Sequence, residues 1–248
     1  MELCKLCKNN TKLVKSHIIS EFCYKPLYDN LHRFPGCSDA QNGKIEINQK
    51  GIKEKMLCKN CEDILSKYES YVRDIFYGNN GIIDNKNYNI EVNYLKFKLF
   101  ALSILWRASV AKDKSFKYVI LGKYHEEKLR KMILSGDPGK YYEYGFLLSF
   151  NIDNEGKVID DLIKNPDWKR IRDGHRIYRF LFIGIWWMFI VSNHSKNLSE
   201  KISSLNEDGK LTIYDKKLSE NPLYNTYAQK LTQQKQKLLK LEKFYTRS

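Results

Sequence analysis

The spacing of apolar residues changes along this chain, and each change predicts a different element. Residues 1–61 have little periodicity. Their turn signals are Pro35-Gly36, Asn42-Gly43 and Lys50-Gly51. Lys44 to Asn48 reads as a strand, and Lys53 to Leu57 as a second one. From Glu62 the period becomes helical. Ile64, Leu65, Tyr68, Tyr71, Val72, Ile75 and Phe76 share one face, the other face carries Glu62, Ser66, Glu69 and Arg73, and Gly78 is the stop. Asn79-Asn80-Gly81 reads as a hinge, followed by a short strand near Tyr88 to Val92.

A long helix is expected from Tyr94 to Ala111, with Leu95, Leu99, Leu102 and Trp106 facing inward, and a shorter one from Glu126 to Ser135. The period then becomes strand-like. Tyr144 to Ile152 and Lys157 to Asp161 predict a hairpin across Asp153 to Gly156. In Arg176 to Ser192, Gly184 separates two expected strands, with a single buried helix as the competing reading. Tyr224 to Tyr245 reads as a Lys- and Gln-rich basic helix. The pattern predicts an α+β protein in two parts: a module over 1–78, and an α+β domain with an antiparallel sheet over 79–248.

Composition adds a modest constraint. The chain of 248 residues carries a formal charge of +14, which suits a polyanionic partner such as nucleic acid, but the charge is not concentrated in one segment. A lysine-rich solvated surface gives the same figure. The longest apolar run, Phe180 to Val191, is too short for a membrane helix, which needs roughly 20 residues. No membrane association is therefore expected. The start of the chain has no apolar signal core, so a reducing cytoplasmic setting is expected.

The sharpest chemical signal is two Cys-x-x-Cys pairs, Cys4/Cys7 and Cys58/Cys61. Four thiolates in two tight turns match the closed tetrahedral shell of a structural Zn²⁺. Cys23 and Cys37 are left over. Between the pairs lies Ser16-His17-Ile18-Ile19, and Glu62 follows the second pair directly.

This order, with Ser16 to Phe22, Leu57-Cys58-x-x-Cys61-Glu62 and Leu65 to Glu69, resembles bacterial HNH-like (ββα-metal) endonucleases built on a zinc-ribbon frame. The resemblance covers about residues 4–77. It implies a zinc-bound ββα-metal module that hydrolyses DNA phosphodiesters, with His17 as general base and Glu62 and Glu69 holding a catalytic Mg²⁺ or Mn²⁺. By association it also implies an anti-phage or mobile-element setting, and a homodimer or a partner protein of such a system. The sequence departs from the pattern in three places. Ser16 stands where a metal-binding Asp or His is usual, Glu62 replaces the helix His, and Lys53 and Glu54 occupy the place of the usual Asn. The alternative is therefore a module that has lost catalysis and binds nucleic acid or protein. Arg107, Arg130, Arg170, Arg172 and Arg176 are candidates for phosphate contacts, against a default of ordinary surface charges. His125-Glu126-Glu127 lacks the Pro-Cys-x-x-Cys of zinc deaminases, and no Walker or dinucleotide-binding glycine pattern is present.

Overall fold

A computed structural model describes residues 1–37, 45–48, 51–78, 81–82, 88–170, 174–192 and 196–217. The basic helix expected over 224–245 and the Asn79-Asn80 hinge lie outside the described residues.

The first strands are short. β1 (Glu2–Leu3) pairs with β2 (Asn10–Thr11), β3 (Leu13–His17) with β6 (Lys53–Cys58), and β4 (Phe34–Cys37) with β5 (Ile45–Asn48), all antiparallel. β6 runs directly into α1 (Lys59–Tyr77), so the helix starts at the second cysteine pair and not at Glu62. Cys61, Leu65, Val72 and Phe76 form its buried stripe. The polar face expected as one surface is split. Ser66 and Arg73 are exposed, whereas Glu62 and Glu69 are half-buried.

β7 (Asn89–Glu91) precedes α2 (Tyr94–Val110), whose Asn93 cap accepts a bond from Lys96 N–H at 2.9 Å. From Phe97 to Ala108 every residue of α2 is buried, because sheet, α1 and α3 (Lys123–Ser135) surround it. Leu95, expected on the inner face, is instead exposed near the helix start. Gly136 ends α3 in the left-handed conformation.

The remaining strands are β8 (Phe146–Ile152), β9 (Lys164–Arg170), β10 (Arg176–Phe182), β11 (Ile185–Val191) and β12 (Lys210–Lys217), with the short helix α4 (Lys196–Ile202) between the last two. They form one sheet in the order β7-β12-β8-β11-β10-β9. The sheet is mixed, correcting the antiparallel expectation, because β12 returns beside β8 in parallel. The expected hairpin after β8 closes through Ile159 N–H to Asn151 O at 2.8 Å and an Ile152–Val158 bridge, but β8's long partners are β11 and β12.

Gly184 does separate two strands, and the single-helix reading falls. Ile183 and Gly184 both have positive φ, 51° and 66°, the backbone of a two-residue hairpin whose twist matches its strands. The run looked unbroken because β11 is covered on both faces. Trp187 packs on Phe76 and Phe97 at 6.1 and 5.8 Å, while Trp186 joins Leu162 and Leu181 on the far side. One apolar core joins Cys4 and Leu65 to Phe97 and Trp187. Among the described residues, no helix is long and apolar enough to cross a membrane.

Candidate metal centre and the His17 site

The β1–β2 turn presents Cys4 and Cys7. Cys58 closes β6 and caps α1, and Cys61 sits in that helix's first turn. Leu13 pairs with Cys58 in the β3–β6 register, which brings the second pair beside the start of the chain. The four sulfurs lie within 4.8 Å of one another, with Cys4–Cys61 at 3.7 Å and Cys7–Cys58 at 3.9 Å. Tetrahedral zinc with Zn–S bonds of about 2.3 Å requires sulfurs about 3.8 Å apart, whereas a disulfide requires about 2.05 Å. The tetrad therefore fits a metal such as zinc.

Its surroundings treat the sulfurs unequally. Burial pushes the Cys4 thiol up, but N–H donors from Cys7, Cys58 and Leu6 outweigh it and bring the pKa down to about 7. The bond from Cys58 N–H spans 3.3 Å. Burial pushes the Cys7 and Cys61 thiols up, and a bound cation would favour their thiolates. The knuckle is clamped to the rest of the protein. Lys5 donates to Val110 O, and Arg130 donates to Leu6 O at 2.5 Å.

His17 ends β3, directly opposite Lys53. Its Nε2 contacts Glu21 Oε2, four residues on. The other oxygen of Glu21 accepts from Tyr28 O–H at 2.6 Å, and Lys53 Nζ stands 4.0 Å from the pair. Burial depresses the imidazole pKa despite the pull of Glu21, so His17 is neutral near pH 7. With Nε2 held against Glu21, Nδ1 is the ring nitrogen left to accept a proton.

Beneath this imidazole lies Arg107, whose side chain is 1% exposed. It was weighed as a phosphate contact or a surface charge, and it is neither. Its guanidinium donates to His17 O at 2.8 Å and to Ser20 Oγ and Ser103 Oγ at 3.3 Å, and it pairs with Glu69 Oε1 at 2.8 Å. Ser20 also donates to Glu69 Oε1, at 2.7 Å. Arg107 thus ties β3, the Ser20 turn, α1 and α2 to one cation.

Glu62 is half-buried, and its Oε1 has no hydrogen-bond partner. Burial raises its pKa more than the neighbouring Ser16 hydroxyl and Arg107 lower it. Ser16 Oγ is buried beside Glu62 and has no other hydrogen-bond partner. The structure thus brings His17, Glu62 and Glu69 to one corner around Arg107. Among the described residues, however, the cysteine tetrad is the one group of three or more Cys, His, Asp or Glu side chains whose ligand atoms converge.

Sequence reasoning gave Glu21, Ser20 and Arg107 no role in this site. No local pattern marked the first, since His17 ends a strand and Glu21 opens a separate turn after Ser20. The other histidines have local partners: His32 stacks on Tyr28, His125 meets Tyr144 O–H at 3.0 Å, and His175 meets Ser192 Oγ at 2.8 Å. His194 and Arg172 lie outside the described residues. Comparison with protein-family models, with curated proteins and with solved structures finds no match to this chain.

Proposed function

We propose that this protein is a metal-dependent, HNH-like hydrolase of DNA phosphodiester bonds, in which zinc on Cys4, Cys7, Cys58 and Cys61 is structural and His17 is the general base. The observation that carries the reading is the His17–Glu21 pair: a neutral, half-buried imidazole fixed through one nitrogen by a carboxylate. Such an arrangement leaves the second nitrogen to take a proton from water. Arg107 holds the main chain of His17 and so positions the ring without touching it.

A divalent cation would be held by Glu62, whose buried oxygen lacks a partner, with Glu69 behind it. Bound there, it supplies charge that polarises the phosphoryl group and stabilises the leaving 3′-oxygen. The raised pKa of Glu62 is what an unneutralised buried carboxylate shows, and a cation would lower it.

A second reading, a zinc module that binds without cutting, is favoured by one observation. Glu69 is already engaged by Arg107 and Ser20, so the carboxylates do not form a ready ligand set. Plasmid nicking with Mg²⁺ or Mn²⁺ separates the two. The hydrolase reading expects nicking by the wild type and a loss of about 100-fold or more in His17→Ala at unchanged zinc content. Equal activity in both proteins, or none in either, refutes it.

A further inference from the structure

A second surface, in the half of the chain without the cysteines, has the chemistry of a nucleic-acid contact. Of the four tryptophans, Trp106, Trp186 and Trp187 are buried, whereas Trp168 is 43% exposed. Trp168 lies on β9, the edge strand of the sheet. It is paired in register with Tyr178, so both rings project from the same face. Tyr178 is buried there, with its hydroxyl on the carbonyl of Ile120, and Ile120 is itself 64% exposed. The edge thus presents one exposed indole beside a covered tyrosine.

Two residues along on the same face, Arg170 of β9 stands directly opposite Arg176 of β10. Both are exposed. Arg176 also reaches the Tyr178 hydroxyl, but like charges directly opposite on adjacent strands disfavour a sheet, and an anion across the pair would relieve that cost. No carboxylate pairs with either among the described ion pairs. Lys117, over the ring of Tyr118 at 4.8 Å, adds charge next to the segment that packs on β9.

Pairing of a peptide strand onto this edge is disfavoured by Pro166, which has no N–H to donate, and by the irregular register between Arg179 and Leu181. An exposed indole beside facing guanidinium groups suits a strand that offers unpaired bases and phosphates together. We infer that the β9–β10 edge binds single-stranded nucleic acid, with a base stacked on Trp168 and a phosphate seated between Arg170 and Arg176. This site is separate from the His17 module, and its binding stands whether or not that module cuts.

The test is intrinsic fluorescence titration with an oligothymidylate of about a dozen nucleotides, without added divalent cation. Because Trp168 is the exposed indole, stacking should quench a component that Trp168→Phe removes, while that variant keeps most of the affinity. Trp168→Ala should weaken binding about 10-fold. Arg170→Gln and Arg176→Gln should each weaken binding and together reduce the slope of log K against log salt by about 1. Absence of quenching overturns the assignment. Binding that is unchanged in Trp168→Ala, or that prefers a duplex of the same length without quenching, overturns it equally.

Discussion

Replacing Arg107 by methionine tests whether one buried cation organises the His17 corner. Methionine keeps much of the side-chain volume and removes the charge. The guanidinium is 1% exposed and its partner Glu69 is 21% exposed, so deletion leaves a largely buried carboxylate without its counter-ion. It also leaves His17 O without its donor. Removing one member of such a pair costs about 3–5 kcal/mol. With a urea dependence of about 3 kcal/mol/M for a protein of this size, the unfolding midpoint should fall by about 1–1.7 M.

Glu69→Gln should also destabilise, by orphaning the cation. The double variant Glu69→Gln/Arg107→Met should then lose less than the sum of the two, by about 2 kcal/mol, because no unpaired charge remains. It should not recover fully, since the bond to His17 O, about 1 kcal/mol, stays lost. Urea unfolding of the four proteins completes the cycle. A loss below about 1 kcal/mol for Arg107→Met, or strict additivity, refutes the view that this pair holds β3 against α1 and α2.

Two further outcomes follow from other parts of the core. Lys98 is buried with its ammonium on Lys140 O and Tyr141 O at 2.9 and 3.0 Å, and desolvation brings its pKa down to about 7 despite Glu143 and Glu207. The unfolded chain, with lysine near 10.5, binds the extra proton between those values, so Lys98 becomes less destabilising as pH rises. The stability of wild type minus that of Lys98→Met should therefore increase by about 2 kcal/mol from pH 7.5 to 9.5 in chemical unfolding, and no change contradicts it. Gly184→Ala places a Cβ 2.5 Å from Val158 Cγ1 at a φ of +66°, so thermal unfolding should show a loss of about 1–3 kcal/mol, and a neutral result would remove the steric argument for this turn.

The cysteine site was legible because its ligands are spaced by local turns, which sequence shows directly. The β10–β11 hairpin was legible for a similar reason, since one glycine interrupts an apolar run. Arg107 was not, because a cation inside an apolar helix is explained by partners about ninety residues away in Ser20 and His17. Glu69 was expected to hold a cation, and its engagement by Arg107 and Ser20 was hidden for the same reason: those partners belong to other elements. Leu95 failed because helical periodicity cannot tell where a helix leaves the core. The mixed sheet arises from β12, which joins β8 only after α4, and no local pattern encodes that parallel return.

Elemental analysis of the protein purified under reducing conditions tests the central claim most directly, since the placement of His17 and Glu62 depends on the sulfur tetrad closing. The account predicts one zinc ion per chain, lost in Cys58→Ser together with cooperative unfolding of the residues around it. A folded, metal-free wild type whose stability is indifferent to added zinc and to chelator would contradict it.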